Sequence, residues 1–282
     1  MKRGLMVTLG KRPRPCLQVL AYHSIDETGS AMSTSPSEFQ EHLRSLRDSG
    51  WRGLTTDEAG RCLEIGALEK RQQVLITFDD GYLNFCDSAL PILEENGFPA
   101  TVFVATDLVG KSAEWLRRDQ ISIRAFFDRL GLQVEARRRL EQAMALLSES
   151  PLMDWETLRA LRKRGIGIES HGAAHHFLGT LSGKVLKEDL IRSRRTLESR
   201  LGSSPSMIAY PYGSIDDRVV RMVKKTGYRL GFVADIQGRG HDPFRVERIG
   251  VGGGMGAGDL LFFLTQAGLS YQQWRNKTTR WS

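Results

Sequence analysis

The chain has 282 residues, a formal net charge of +7, and a composition that is 40% hydrophobic and 26% charged. These values are typical of a soluble globular protein with a sizeable core, in one large or two small domains. Three widely spaced cysteines argue against a disulfide framework, and no apolar stretch approaches the roughly 18–20 residues of a membrane span.

Segments of strand length and of helix length alternate along the chain. The apolar segments predict β-strands over residues 17–22, 74–78, 101–105, 166–168, 207–210 and 229–234. The amphipathic segments predict helices over residues 36–49, 185–201 and 216–226. Gly202 and Gly227 follow two of these helices as stop signals. The alternation predicts an α/β fold, a parallel sheet with helices outside it, either open or closed into a barrel.

The domain organisation follows from where this alternation holds. We predict a single domain over residues 17–269, a basic N-terminal arm over 1–16 and a polar tail over 270–282. Residues 111–150 are charged and helical in character, so we interpret them as an insertion that covers one end of the sheet. The arm contains KRPRP and no small-residue cleavage site, which favours a cytoplasmic protein. Its positive charge allows a peripheral association with an anionic membrane surface.

Residues 74–82 read VLITFDDGY, so a predicted strand runs directly into Asp79 and Asp80. Successive side chains of a strand point to opposite faces, and the two carboxylates therefore converge only if the chain turns at Gly81. Two close carboxylates repel each other. A cation bound by one of them relieves the repulsion and leaves the other free as a base. The alternative is that D-D-G forms an ordinary turn.

Two histidines, His171 and His175, lie four residues apart in SHGAAHH. One helical turn would direct both imidazoles the same way. Two imidazoles and a carboxylate are a common ligand set for a catalytic metal, and the alternative is a structural pair of histidines. These clusters, like His23 and the YPYG segment at 210–213, follow predicted strands, where parallel α/β folds assemble their sites.

The motifs TFDDGY (77–82), SHGAAH (170–175) and YPYG (210–213), in this order, resemble those of the polysaccharide deacetylase family. This is carbohydrate esterase family 4, whose core is the NodB homology domain. VLAYHSID (19–26) and DPFRVERIGV (242–251) support the resemblance, which covers most of residues 17–255 apart from the insertion. It implies a distorted, incomplete (β/α) barrel and a metal-dependent hydrolase that removes the acetyl group of an N-acetylated amino sugar.

The resemblance also implies roles for individual residues. The implied metal ligands are Asp80, His171 and His175. Asp79 matches the catalytic base, and Arg248 resembles the arginine that keeps this aspartate ionised. The backbone N–H of Tyr212 matches the donor to the oxyanion. Zinc suits two histidines and a carboxylate, while cobalt, nickel, iron and manganese stay open.

The chain departs from the family pattern at two motifs. Gly172 stands where Ser or Thr usually follows the first histidine, so a hydrogen bond that orders the loop is either absent or supplied elsewhere. Ala209 and Tyr210 precede Pro211, where the family often has an arginine.

The general acid is a third departure, because the usual late histidine has no match in residues 255–282. In relatives with an N-terminal Y-H, as in Tyr22 and His23, this histidine resembles a group able to protonate the leaving amine. We assign that role to His23, with a purely structural part as the alternative and His241 as a weaker contender.

The function that the resemblance implies is release of acetate from an N-acetylated sugar in an oligosaccharide, a glycan or a lipid-linked form. One alternative is a hydrolase that uses the same site on a non-sugar amide. Another is a sugar-binding pseudoenzyme whose lost chemistry is marked by Gly172 and Ala209. The basic residues are scattered and no zinc-finger, helix-turn-helix or RNP-like pattern occurs, so we expect no nucleic-acid partner. The oligomeric state is not indicated.

Overall fold

The computed structural model describes residues 17–65, 72–119, 134–234 and 242–278. The predicted basic arm and His241 lie outside the described residues, as do parts of the insertion and of the tail. The strands are β1 (Leu17–Tyr22), β2 (Ser24–Ile25), β3 (Ser33–Thr34), β4 (Arg52–Gly53), β5 (Gln73–Phe78), β6 (Ala100–Val104), β7 (Gly167–Ser170), β8 (Met207–Ala209), β9 (Leu230–Val233), β10 (Val246–Glu247) and β11 (Ile249–Gly250). The helices are α1 (Pro36–Asp48), α2 (Thr56–Ile65), α3 (Leu90–Asn96), α4 (Trp115–Arg118), α5 (Val134–Leu147), α6 (Trp155–Lys163), α7 (Gly183–Leu201), α8 (Asp217–Lys225), α9 (Ala257–Phe263) and α10 (Gln266–Thr278).

The main sheet runs in the order β10-β9-β8-β7-β6-β5-β1-β11, with β4 paired to β5. All of these pairings are parallel. The two end strands, β10 and β11, are separated in the chain by Arg248 alone. The sheet therefore curls into a nearly closed barrel whose seam lies at this residue, with helices outside. This confirms the predicted barrel of the NodB type.

Alternate strand residues fill the inside of the barrel. Phe103 of β6 and Phe232 of β9 have ring centroids 5.4 Å apart although their strands are not neighbours in the sheet. Such a contact requires both rings to face the interior, where Leu75 of β5 joins the same buried cluster. Because side chains alternate along a strand, Thr77 and Asp79 share the inward face with Leu75.

The two ends of the barrel differ. Helix α2 contacts both β1 and β9 and contributes Leu63 to the interior cluster. The hydroxyl groups of Thr56, at its start, and Thr101, near the start of β6, lie 2.6 Å apart. Helix α2 therefore closes the end where the strands begin, and the end where the strands finish is left for a site.

The outward faces of the strands are covered by helices. Leu20, Ile76 and Val102 are fully buried in a cluster that includes residues of α1, α3 and α6. Helix α1 begins at a capping box, in which Ser35 accepts from the backbone of Glu38 and the Glu38 side chain accepts from the backbone of Ser35. Local capping and apolar periodicity thus fix helices that the sheet then buries.

The predicted strands and helices are present with bounds shifted by at most two residues. The two-residue strands were not predicted, because two residues cannot display a period. Helix α10 continues through residue 270, where the polar tail was placed, and the division into arm, domain and tail stays a prediction. No helix within the described ranges is long and apolar enough to cross a membrane.

Candidate active site

The two adjacent acids lie where β5 ends. Asp79 continues the strand, and its N–H donates to the carbonyl of Tyr22 at 2.9 Å. Asp80 then adopts a φ of 71° and Gly81 a φ of 80°, both in the left-handed region. The turn therefore begins at Asp80 itself, one residue before the predicted Gly81. It keeps both carboxylates buried at the open end of the barrel, 4% and 5% exposed.

Asp79 forms a buried ion pair with Arg248. Its two oxygens accept from Nη1 and Nη2 of the guanidinium, each at 2.7 Å, and the arginine is 2% exposed. The guanidinium also donates to the Thr77 hydroxyl and the Val233 carbonyl, both at 3.2 Å, and lies 5.7 Å from the centroid of the Phe103 ring. The residue at the barrel seam thus reaches across the interior to the end of β5.

This pair determines the electrostatics of Asp79. Burial by itself raises the pKa of the carboxyl, but the charge and hydrogen bonds of Arg248, together with nearby histidines, outweigh burial and hold the pKa below its usual value. His171 and His23 lower the pKa of Asp79 further. Asp79 is therefore ionised at neutral pH, as a general base must be.

Asp80, His171 and His175 converge on one point. Their ligand atoms all lie within 4.8 Å of one another, and all three side chains are buried. Oδ1 of Asp80 is 3.5 Å from Nε2 of His171 and 3.1 Å from Nε2 of His175. The same nitrogen of each imidazole therefore faces the same carboxylate oxygen.

The loop that carries the two histidines is not helical, so the prediction of one helical turn is wrong. After β7 the chain takes a φ of 75° at Gly172 and a φ of 55° at His175. These left-handed residues fold the loop back, and the rings of His171 and His175 come within 4.8 Å of each other, centroid to centroid. Positive φ values are uncommon outside glycine and concentrate at functional sites, and Asp80 and Tyr212 share this feature with His175.

These residues fit a divalent metal ion. Nδ1 of His171 donates to the Ala209 carbonyl at 2.8 Å, which leaves Nε2 with its lone pair toward Asp80. Burial lowers the pKa of His171 to about 4, so the imidazole is neutral, as a ligand must be. Oδ1 of Asp80 is buried and makes no well-formed hydrogen bond with any described residue. A cation at this point would satisfy that oxygen.

The two other predicted residues flank this centre. His23 follows β1, is half-buried, and lies close enough to Asp79 and Asp80 to lower the pKa of both carboxyls. Tyr212 has a φ of 58° in a short 3₁₀ turn after β8, and its ring centroid is 4.7 Å from that of His175. The structure thus brings all the predicted site residues that it describes to one end of the barrel, while their catalytic roles stay predictions.

An aromatic wall beside the histidines was missed by the sequence reasoning. The ring of Trp115, in α4 of the insertion, lies 5.0 Å from that of His175, and Phe177 stacks on Tyr212 at 3.9 Å. Trp115 Nε1 and the Tyr82 hydroxyl are buried without a well-formed hydrogen bond to the described part of the chain. A tryptophan within a charged segment was the available signal, but nothing local links it to residues sixty positions away.

Both departures from the family motifs have structural substitutes. The N–H of Gly172 donates to the Ser170 hydroxyl at 3.1 Å, and the next N–H of the loop donates to Asp189 at 2.9 Å. Where an arginine often precedes the third motif, Tyr210 instead donates to the Phe244 carbonyl at 2.9 Å. The guanidinium beside Asp79 comes from Arg248.

Comparisons with known proteins agree with this geometry. The family model for polysaccharide deacetylases matches residues 68–231. The protein YxkH of Bacillus subtilis is 26% identical over 241 residues, which cover 85% of this chain and 72% of that protein. A poly-beta-1,6-N-acetyl-D-glucosamine N-deacetylase of Staphylococcus epidermidis is 28% identical over 223 residues, or 77% of this chain and 67% of that enzyme.

Two solved structures share the fold. IcaB from Ammonifex degensii has a TM-score of 0.71 at 23% identity, with 89% of this chain and 98% of that chain covered. The Streptococcus pyogenes deacetylase PplD in complex with acetate has a TM-score of 0.68 at 22% identity, with 88% and 97% covered. Because the family model spans more than half of its residues, the chain belongs to the polysaccharide deacetylase family.

Proposed function

We propose that this protein is a metal-dependent N-deacetylase that releases acetate from an N-acetylated amino sugar. The observation that carries the proposal is Asp79, an ionised, buried carboxylate paired with Arg248, directly beside the possible metal ligands Asp80, His171 and His175. An acetamide is a poor electrophile and water is a poor nucleophile. A general base activates the water, and a Lewis acid bound by the neighbouring ligands would activate the acetamide.

Asp79 takes the role of general base. Arg248 keeps its carboxylate ionised, so it accepts the proton of the attacking water. General-base catalysis of this kind typically contributes about 10²–10⁴ in rate. When bound, a divalent metal supplies Lewis acidity, which polarises the acetyl carbonyl and lowers the pKa of water.

Tyr212 and His23 take the two remaining roles. Negative charge develops on the carbonyl oxygen, and the backbone N–H of Tyr212 stabilises it; such a donor contributes about 3–4 kcal/mol. The left-handed conformation of Tyr212 supports this role, because strained backbone is retained where function requires it. An amine leaves only when protonated, and His23, half-buried beside both carboxylates, donates that proton. The products are acetate and a free amino group on the sugar.

The substrate class is proposed from the relatives. The Staphylococcus epidermidis relative is named as an enzyme of poly-beta-1,6-N-acetyl-D-glucosamine, so β-1,6-linked oligomers of N-acetylglucosamine are the first substrates to try. A cytoplasmic location stays a prediction, under which soluble oligosaccharides and lipid-linked sugars are also suitable. Acetate release across these three classes identifies the preferred form.

Asp79→Asn tests the proposal most directly. We expect acetate release to fall by at least about 10²-fold, since the base is lost, while zinc or cobalt content stays unchanged. Asp87→Asn is the matched control, because Asp87 is an exposed acid eight residues along the chain, and it should retain full activity. An Asp79→Asn enzyme with wild-type activity would remove Asp79 as the base.

The same assay separates the alternatives. A wild-type protein that binds metal and releases a carboxylate other than acetate from a non-sugar amide would support the non-sugar hydrolase. A purified protein that binds no divalent metal, and gains no activity from added zinc, cobalt or nickel, would support the pseudoenzyme.

A further inference from the structure

The histidine loop, residues 171–175, packs against helix α7. Asp189 projects from this helix and is 2% exposed. Its two carboxylate oxygens accept from successive backbone N–H groups of the loop, Ala173 at 2.9 Å and Ala174 at 3.3 Å. Asp189 thus binds the backbone midway between the two histidines.

The opposite side of the loop is bound by the segment after β6. The N–H of Thr106 donates to the Gly172 carbonyl at 3.3 Å, and the N–H of Asp107 donates to the Ala173 carbonyl at 2.8 Å. The loop therefore has a hydrogen-bonded partner on each side, one from a helix and one from the turn that follows β6.

Arg192 connects these two sides. Its Nη2 lies 2.9 Å from a carboxylate oxygen of Asp107 and 3.6 Å from one of Asp189. The charge of the buried Asp189 is thereby partly compensated by a guanidinium whose side chain is 49% exposed. Both carboxylate oxygens of Asp189 still accept hydrogen bonds from the loop.

The backbone conformation explains the glycine in this loop. Gly172 has a φ of 75°, and a Cβ added there would lie 3.2 Å from Oδ1 of Asp189. A larger residue would press against the carboxylate and would also be strained at that φ. Gly172 therefore permits the close approach of Asp189. The hydrogen bonds of Asp189 to the loop backbone take the place of the one that a Ser or Thr at position 172 would make.

We propose that Asp189 is a positioning residue of the metal centre. It holds the loop in the left-handed conformation that directs His175 onto the same point as His171 and Asp80. This inference rests on the proposed metal site and concerns how the chain prepares it. An uncharged amide at this position would present an NH₂ group to one of the two backbone N–H donors and lose that bond.

Asp189→Asn is the variant that tests the role, and Glu188→Gln is its control, because Glu188 is the exposed neighbouring acid. Zinc affinity of the apoprotein is measured by competition with a chromophoric chelator. We expect Asp189→Asn to bind zinc about 10-fold or more weakly, within the 10–100-fold range that partners of metal ligands contribute. Glu188→Gln should bind zinc as the wild type does.

A spectroscopic readout separates positioning from simple stability. The visible spectrum of the cobalt-loaded protein reports ligand geometry, and we expect it to change in Asp189→Asn but not in Glu188→Gln. The unfolding midpoint of each metal-free variant is measured alongside. A folded Asp189→Asn protein with wild-type zinc affinity and cobalt spectrum would overturn the inference.

Arg192→Gln provides the second variant if Asp189→Asn does not fold. It removes the charge beside Asp189 while leaving both acceptors in place, and we expect a smaller loss of zinc affinity in the same direction. Wild-type affinity in this variant would also count against the role. Absence of zinc binding by the wild-type protein would instead overturn the proposed function.

Discussion

The two adjacent acids of the site, Asp79 and Asp80, have different partners in the two halves of the site. At the barrel seam, both oxygens of Asp79 lie 2.7 Å from the guanidinium of Arg248. At the histidine loop, Oδ1 of Asp80 is equally buried but faces two imidazole nitrogens without a well-formed hydrogen bond from the described chain. A buried charge must be compensated. Arg248 compensates Asp79 with a permanent positive charge, whereas imidazoles, His175 foremost, stabilise the charge of Asp80. A cation bound at the three ligand atoms would complete that compensation.

The two halves also differ in how the backbone holds them. Asp79 lies on the regular inward face of β5, where the sheet fixes its direction. Asp80 and His175 take left-handed φ values of 71° and 55°, and Asp189 binds the backbone of the loop. The proposed base is thus positioned by secondary structure, whereas the proposed metal ligands depend on contacts between distant segments.

Arg248→Met removes the buried ion pair between Arg248 and Asp79. Removing one partner of a buried pair leaves an unpaired charge, and we expect the free energy of unfolding at pH 7 to fall by about 3–5 kcal/mol. Burial raises the pKa of Asp79 once the charge and hydrogen bonds of Arg248 are gone, so the deficit should shrink between pH 7 and pH 5 as Asp79 becomes protonated. Urea unfolding at both pH values measures this.

The double variant Asp79→Asn/Arg248→Met is the control for that experiment. It removes both charges, and it should regain most of the lost stability while remaining inactive. Equal urea midpoints for the wild type and Arg248→Met would contradict the buried ion pair.

Asp80→Asn tests the histidine-loop half of the site. Here we expect the main effect on zinc affinity and the smaller effect on stability. Zinc affinity should fall by about a hundredfold or more, since a charged ligand is lost and even outer partners contribute 10–100-fold. The metal-free protein should lose less stability than Arg248→Met does, because the imidazoles near Asp80 stabilise its charge less strongly than a guanidinium stabilises Asp79. Asparagine tolerates positive φ, so the turn is preserved.

Urea unfolding in a chelator compares Asp80→Asn with Asp79→Asn. We expect Asp79→Asn to be the less stable of the two, because it leaves Arg248 without its anion. Equal losses in the two variants would mean that the imidazoles compensate Asp80 as fully as Arg248 compensates Asp79.

Glu169 extends the comparison to a third buried acid, two residues before His171. Its Oε2 accepts from the N–H groups of Ser206 at 2.9 Å and Met207 at 2.8 Å. Burial nevertheless raises its pKa to about 8. Because the folded pKa exceeds the unfolded value of 4.5, the folded state retains the proton, and stability falls as the pH rises through about 8.

Glu169→Gln isolates this contribution. Between pH 6 and pH 8 the wild type should lose roughly 2–3 kcal/mol more than the variant, at 1.36 kcal/mol per pKa unit. The measurement is the free energy of unfolding across this range in the metal-free protein. Parallel pH profiles for the two proteins would show that Glu169 is ionised in the folded state.

Gly81→Ala gives the smallest expected effect and tests the turn formed by Asp80 and Gly81. An alanine at a φ of 80° is strained, and its Cβ would lie 2.9 Å from Cγ1 of Val104. We expect a loss of about 1–2 kcal/mol in stability together with weaker zinc binding. Thermal unfolding and zinc titration measure the two effects.

Gly97→Ala is the matched control for that variant. Gly97 has a φ of 71° but nothing within 4 Å of an added Cβ, so it reports the cost of the backbone conformation alone. Gly81→Ala should be the more destabilising of the two, and only Gly81→Ala should affect zinc. Unchanged zinc affinity in Gly81→Ala would show that the turn does not position Asp80.

The residues of the site were largely predictable, because all but Arg248 follow strands whose apolar pattern is visible in the sequence. Arg248 lies between two-residue strands, and only the family resemblance pointed to it. The geometry of the histidine loop was not predictable. A spacing of four suggested a helical turn, whereas two left-handed residues, Gly172 and His175, fold the loop instead. Trp115 and Asp189 were missed for the same reason, since neither has a local pattern that links it to the histidines.

The sequence by itself determined which residues face inward along β5 and which residue types are available for the chemistry, since strand alternation is a local property. Only the tertiary structure decided the partner of each acid. Arg248 meets Asp79 across 169 positions of chain because the sheet closes between β10 and β11. Barrel closure depends on all the strands together, and no local segment encodes it.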